Sequence, residues 1–367
     1  MNILVFTDSR SSLNSIRPEA EMFIHFAKMG HQVTILTGKD SEYGRIYQSH
    51  GIRVVDCQPR KKISWRAIQT VREELKRTRY DILYATNSKS IPNGAFAAIG
   101  SDVKVVTYRG TTGGLYRHDP SAYLTHLHPR VDGIVCVSEA VREDMRRRVW
   151  KNRDKVVAIH KGHNLAWYDV PSADLAEFGI TSRDFVVICA VNARPSKGVP
   201  VLLQAADQLA DIANLHVLLV GKNMEGYRDL ISRSRMVDRI HVTGYRQDVP
   251  ALITASDVLV QPSISGEGLP RAVMESMGCG TPPIITTTGG GKEVVENGVT
   301  GFVVPTHDPE SIAAKVRELY EKPELLKDMS RRCREKIGSD LSCQRTAEHY
   351  LAFFQSLLAG QAARSEQ

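Results

Sequence analysis

Residues 265–305 read SGEGLPRAVMESMGCGTPPIITTTGGGKEVVENGVTGFVVP, directly behind the β-branched run DVLVQPS of 257–263. That run has the length and composition of a buried strand. Pro270 suits the first position of a helix, because its missing N–H would have no partner there anyway. The helical stretch PRAVMESMGCG then stops at Gly278 or Gly280, glycine being the usual residue just past a helix end. A second apolar run, PPIITT, follows at once, and GFVVP closes the segment. Strand, helix and strand on short connections make a parallel unit, since strands apolar on both faces must be covered by helices on both.

Working outward, the pattern repeats almost from end to end. FVVICAV, LHVLLVG, RIHVTGY, DVLVQP, PPIITT and GFVVP alternate with helical stretches in the second half, as NILVFT, QVTILT, DILYAT, VKVVTY, GIVCVS and VVAIHKG do in the first. The alternation pauses once, at the Pro- and Asp-bearing stretch NLAWYDVPSADLAEFGITSRD (164–184). The expected fold class is therefore α/β, with two doubly wound Rossmann-like domains facing a central cleft. The first spans 1–164, a linker spans 165–184, and the second spans 185–340. A helical tail of about 341–367 is long enough to return to the first domain. With 367 residues, two domains is also what length predicts.

Composition narrows the class. A chain that is 42% hydrophobic and 24% charged belongs with soluble globular proteins. The apolar start NILVF ends at Asp8 within a few residues, so it reads as a first strand and not as a signal peptide. No run approaches the ~18 apolar residues of a membrane span. The six cysteines show no C-x-x-C pair and no histidine at ligand spacing, which points to reduced thiols in a cytoplasmic protein without a zinc site. Charge is divided unevenly: residues 1–164 hold 27 Lys and Arg against 16 Asp and Glu, whereas residues 165–367 hold 21 against 25. Two runs, 60–79 and 142–155, concentrate the excess. They are either solvated helix faces or a surface that meets an anion. Trp65 in the first run is either a core ring or an interfacial anchor.

Ligands of open parallel sheets bind beyond the carboxyl ends of the strands, where Glu267 falls. The N–H groups near Gly268, Leu269 and Arg271 open a helix whose positive end suits phosphate. Glu267 can accept hydrogen bonds from sugar hydroxyls, and Glu275 can grip two neighbouring ribose hydroxyls side by side. Gly289, Gly290 and Gly291 make either a plain turn or a close approach to that ligand.

Taken together, EGLPRAVMESMGCGTPPIIT and GGGKEVVENGVTGFVVP resemble the signature of the retaining glycosyltransferases called group 1 or family 4, whose architecture of two Rossmann-like domains is known as GT-B. SEAVREDM, VVAIHKG, VNARPSKGVPVLLQAADQL, LHVLLVGK and VTGYRQDVPALITASDVLVQPS also fall in family order. The resemblance implies that Glu267 and Glu275, the two acids of its E-x7-E pattern, hold the donor sugar and the nucleotide ribose. Backbone of Gly268, Leu269 and Pro270 would line the donor pocket. Arg194 and Lys197 resemble the family's cationic pair on the diphosphate, where fixed cations stabilise charge growing on the leaving group. Asn192 stands where many relatives have arginine. The base would meet the backbone near Tyr245 and Arg246, with UDP favoured over GDP. No D-x-D triplet occurs, so no metal or other cofactor is expected beyond the nucleotide sugar as co-substrate.

The first domain departs more from the family. Leu13 and Asn14 stand in place of a Gly-Gly loop, while Arg17 matches a basic residue common there. Arg109 stands where many relatives have a histidine, and His118 lies in the same loop. Arg109 can stabilise phosphate or orient a hydroxyl, but a permanent cation is a poor general base. The expected activity is transfer of a hexose-type sugar to a saccharide or lipid-linked acceptor in cell-envelope polysaccharide or lipopolysaccharide assembly. The expected place is the cytoplasm, with peripheral contact to the anionic inner membrane. A nucleotide-sugar epimerase of the same architecture is the alternative, separable by product analysis without acceptor. A non-catalytic nucleic-acid-binding protein is the further alternative, but the basic half shows no aromatic-interleaved basic strand, so no nucleic-acid partner is expected.

Overall fold

The computed structural model describes the backbone of residues 1–8 and 13–365 and the side chains of 1–8 and 16–359. The chain divides into two compact units, Met1–Gly162 with Cys343–Gln367, and His163–Ser342. The first holds a parallel sheet of β1 (Asn2–Phe6), β2 (Gln32–Thr37), β3 (Arg53–Asp56), β4 (Ile82–Ala85), β5 (Lys104–Arg109), β6 (Val131–Cys136) and β7 (Val156–Ala158). Their spatial order is β3-β2-β1-β4-β5-β6-β7. The second holds β8 (Phe185–Ala190), β9 (Leu215–Val220), β10 (Ile240–Gly244), β11 (Val258–Gln261), β12 (Pro283–Thr286) and β13 (Phe302–Val304). Their order is β10-β9-β8-β11-β12-β13. Every strand pairing in both sheets is parallel. Each unit is thus doubly wound, and in each the order reverses beside its first strand: between β1 and β4, and between β8 and β11.

The boundaries differ from those read in the sequence. Residues 165–184, expected as a linker, belong to the second unit. Leu175 and Ile180 enter the core that backs its sheet, with Val273, Met274, Met277 and Ile337. Tyr168 is also buried, and a Cβ at Gly278 would lie 2.2 Å from its ring. The stretch lacks any period of 2 or 3.6, so its apolar residues are invisible as a face until the sheet is there to receive them.

The closing helix Cys343–Ser365 is part of the first unit. Its Tyr350 and Phe354 are fully buried against Phe26 of the helix Leu13–Lys28 and Tyr84 of β4. The hydroxyls of Tyr84 and Tyr350 lie 3.1 Å apart, so neither buried phenol is left without a partner. Gly133 of β6 admits this helix: a Cβ there would lie 2.8 Å from Phe353 Cζ. Phe354→Ala should therefore destabilise the first unit by about 3–5 kcal/mol. Chemical denaturation followed by tryptophan fluorescence and circular dichroism measures this, and a loss below about 1 kcal/mol would remove the helix from that core.

Candidate donor site of the second unit

The reversal of strand order brings two loops together. The loop after β8 carries Asn192, Arg194 and Lys197, and the loop after β11 carries Ser263 and Glu267. The first loop ends in a single turn, Pro195–Lys197, followed by Gly198 at φ +66°. A Cβ at Gly198 would lie 1.9 Å from the carbonyl oxygen of Pro262, so only glycine lets the two loops approach this closely. Ile264 N–H then donates to the Ser196 carbonyl at 2.8 Å. From this clamped turn Lys197 Nζ donates to Glu267 Oε1 at 2.5 Å.

Glu267 is buried, only 7% exposed. Besides Lys197, its Oε1 accepts from Ser263 Oγ at 2.5 Å and Gln261 Nε2 at 3.2 Å. Oε2 has no protein donor among the described residues. Gly289 answers the question of the glycine run: its φ is +62°, and a Cβ there would lie 2.2 Å from the Glu267 carbonyl oxygen. The run is a close approach to Glu267 itself. Gly290 N–H adds a bond to the Gly268 carbonyl at 2.7 Å.

The helix here runs Arg271–Cys279, with Pro270 as the residue preceding it and not its first turn, and Gly280 ending it at φ +84°. Pro270 has extended geometry, which aims the chain out of the loop before the helix begins. Gly268 and Leu269 precede it, and their N–H groups donate to no backbone acceptor among the described residues. Glu275 is 7% exposed, with Arg271 Nε 3.3 Å from its Oε1. Burial pushes its carboxyl above the usual glutamate range, and Arg271 only partly opposes that.

The remaining expected residues fall as follows. Arg194 is exposed, with no protein partner among the described residues. Asn192 Oδ1 accepts from Lys222 N–H at 3.1 Å, so it holds its loop to the next one. Tyr245 is exposed, with Lys222 Nζ 4.8 Å from its ring centre. Arg246 is engaged by Asp248 at 2.9 and 2.8 Å and by Glu177 at 3.1 Å, which leaves its backbone as the free element there.

In the first unit, Arg109 does not stand free. Its Nε donates to the Thr111 carbonyl at 2.8 Å and its Nη2 to the Gly113 carbonyl, so the guanidinium shapes its own loop. His118 is exposed and stacked on Tyr116. The histidine packed on this strand is His126, 3.0 Å from Thr107 Oγ1 and pushed down to about 3 by burial and by Arg109. Arg17 is half-buried in the helix Leu13–Lys28, and the side chain of Asn14 lies outside the described residues. Lys161, which the sequence did not single out, sits 4.3 Å from the Tyr108 ring centre and 3.4 Å from Glu19 Oε2. Among the described residues no group of three or more His, Cys, Asp or Glu could hold a metal ion.

Two family profiles match the chain, Glycosyl transferases group 1 over residues 172–336 and Glycosyltransferase Family 4 over 20–167, and together they span most of it. The chain belongs to the group 1 glycosyltransferases. This glycosyltransferase is 26% identical over 299 residues to N-acetyl-alpha-D-glucosaminyl L-malate synthase of Bacillus anthracis, covering 78% of this chain and 77% of that protein. It is 26% identical over 283 residues to UDP-Gal:alpha-D-GlcNAc-diphosphoundecaprenol alpha-1,3-galactosyltransferase of Escherichia coli, covering 72% of each. Its fold is that of Anabaena Alr3699/HepE, solved in complex with UDP: TM-score 0.75 at 19% identity, over 97% of this chain and 100% of that one.

The buried Glu275 generates a test of sign. A raised carboxyl in the folded glycosyltransferase keeps its proton to higher pH than in the unfolded chain. Stability therefore falls as pH rises from the ordinary glutamate value through the raised one. Glu275→Gln should melt above the parent at about pH 7.5 and match it at about pH 3.5, below the ordinary value of ~4.3. Thermal melts at both values check this, and a variant that melts lower at neutral pH would contradict it.

Proposed function

We propose that the enzyme moves a hexose-type sugar from a UDP-sugar to a saccharide or lipid-linked acceptor, with retention of configuration and without a metal ion. The observation that carries this is the Glu267 carboxylate where the two switch-point loops meet, with one oxygen pinned and the other without a donor among the described residues. That second oxygen would accept a hydroxyl of the donor sugar. Lys197 has two further N–H groups beyond the one on Glu267, and with Arg194 it would face the diphosphate. As the bond from the anomeric carbon to the phosphate oxygen breaks, its electron pair moves onto the diphosphate, and these cations stabilise that charge. The acceptor oxygen would attack the same face, passing its proton to the departing phosphate. Glu275 would hold the ribose. The names of the Escherichia coli and Anabaena relatives, which carry UDP-Gal, a diphosphoundecaprenol-linked sugar and UDP, support the donor and acceptor classes.

Calorimetry with UDP and turnover of UDP-glucose and UDP-galactose test the assignment. Glu267→Ala should abolish most turnover while UDP still binds, and Glu275→Ala should weaken UDP by roughly 1.5–3 kcal/mol. Turnover should persist in EDTA. Equal loss of UDP affinity in both variants, or activity that chelation removes and magnesium restores, would overturn the reading.

We also propose that the first unit meets an anionic membrane, where a lipid-linked acceptor would be found. The two basic runs are not alike. In 142–155, Arg142 pairs with Glu139 and Arg148 with Asp144, so that run is largely engaged within the protein. In 60–66, Arg60, Lys61, Lys62 and Arg66 are exposed, together with Ile63 at 46% and Trp65 at 65%. Trp65 is no core ring. Exposed cations interleaved with large apolar side chains match a surface that is both charged and partly apolar, each cation contributing about 1 kcal/mol near anionic lipid. No helix of the described residues is long and apolar enough to cross a membrane. Co-sedimentation with phosphatidylglycerol-containing vesicles should fall at high salt and on neutralising the four cations together. Equal binding to purely phosphatidylcholine vesicles, or none to either, would return the run to a solvated helix face.

A further inference from the structure

We infer that Gln261 and Ser263 are positioning residues that hold Glu267 in one orientation, so that a single carboxylate oxygen is presented to the donor sugar. The inference rests on the donor-site reading above and deepens it. Gln261, at the end of β11, is 3% exposed, and Ser263 is 1% exposed. Groups so enclosed must spend their polar atoms on one another.

The direction of each bond is forced. Gln261 Nε2 lies 2.8 Å from Ser263 Oγ and 3.2 Å from Glu267 Oε1. A carboxylate oxygen only accepts, so the end of the Gln261 amide that faces it must be the NH2 end. That amide N–H occupies a lone pair of the Ser263 hydroxyl, whose own proton is then directed to Glu267 Oε1 at 2.5 Å. Lys197 reaches the same oxygen from the other loop at 2.5 Å. Three donors therefore converge on Oε1. Rotating the carboxylate to exchange its oxygens would break and remake all three contacts at once. The two oxygens are chemically alike in free glutamate and inequivalent here.

The relay is itself held in place. The Ser263 carbonyl accepts from Thr286 Oγ1 and, at 3.4 Å, from Thr288 Oγ1. The backbone of Glu267 is pressed by Gly289 on its other side. What Gln261 and Ser263 add to Lys197 is rotational order. One ammonium gives that oxygen a single tie, whereas donors from three separate residues must all be given up before it can swing away. A sugar hydroxyl displaced by an ångström at the reacting centre loses much of its rate.

The experiment uses the full-length enzyme with UDP-glucose and UDP-galactose as donors and UDP as the affinity probe. Gln261→Met, close in volume but without polar ends, and Ser263→Ala should each lower kcat by roughly 10- to 100-fold. UDP affinity should stay within about twofold, because the hydrogen bonds of both side chains go to each other and to Glu267, and none goes to Glu275, the proposed ribose ligand. Gln261→Glu supplies a readout that a packing role would not move. At about pH 8 its new carboxylate would repel Glu267, and turnover should fall below that of Gln261→Met. Towards about pH 6 the new carboxyl would take a proton and donate in place of the amide, so turnover should recover, while Gln261→Met shows no such recovery. A crystal structure of Gln261→Met should show the Glu267 carboxylate rotated or in two orientations. That readout stands even if neither sugar nucleotide is turned over, which separates failure of this inference from failure of the functional reading. Unchanged Glu267 geometry, parallel pH profiles for the Met and Glu variants, or equal losses in kcat and UDP affinity would each overturn it.

Discussion

A buried carboxylate must be matched by donors, and the second unit is organised around meeting that demand for Glu267. Taking an ionised group out of water costs several kcal/mol unless hydrogen bonds and an opposite charge replace the lost hydration. Lys197 supplies the charge, but it can do so only because β8 and β11 are neighbours at the point where strand order reverses. Their loops must then touch, and the contact leaves no room for a side chain at Gly198, while Gly289, in the loop after β12, is closed in by the Glu267 backbone. Two glycines, an ion pair and a doubly wound sheet are thus one constraint seen at three levels.

Glu275 is treated differently by the same fold. It is as enclosed as Glu267 but among the described residues has only the exposed Arg271 paired with it, and burial leaves its carboxyl raised. Glu267, by contrast, is prepared in advance. The two acids of one motif are therefore treated unequally: three donors meet Glu267 within the protein, whereas Arg271 alone stands beside the Glu275 carboxyl among the described residues.

In the first unit the charges sort by what the fold can reach. Arg109 closes its own loop, and Arg53 is drawn to the buried Glu74, whose carboxylate it holds below the usual range. The cations of 60–66 lie before and at the start of a helix whose inner face is already filled by Ala67, Ile68 and Val71, so they and Trp65 are left outside. Net charge alone could not distinguish these outcomes.

Much of this was legible without coordinates. The alternation of doubly apolar runs with helical stretches dictates two parallel sheets, because strands with two apolar faces have no other stable covering. The positions of Glu267 and of residues 195–197 in loops after strands were likewise legible, such loops being the open end of parallel sheets. What the sequence could not carry was every relation between residues far apart in the chain. Lys197 and Glu267 are seventy residues apart, and nothing local predicts that they meet. Gln261 and Ser263 read as the tail of a strand, and residues 165–184 read as a linker, until the sheet and its neighbouring loops were in place. Arg109 reads in the sequence as a cation able to stabilise phosphate or orient a hydroxyl, because the acceptors it meets are backbone carbonyls, which every sequence contains and none displays. Periodicity is a property of one element and is written in its residues. Burial, pairing and orientation are properties of several elements at once, and only the tertiary structure decides them.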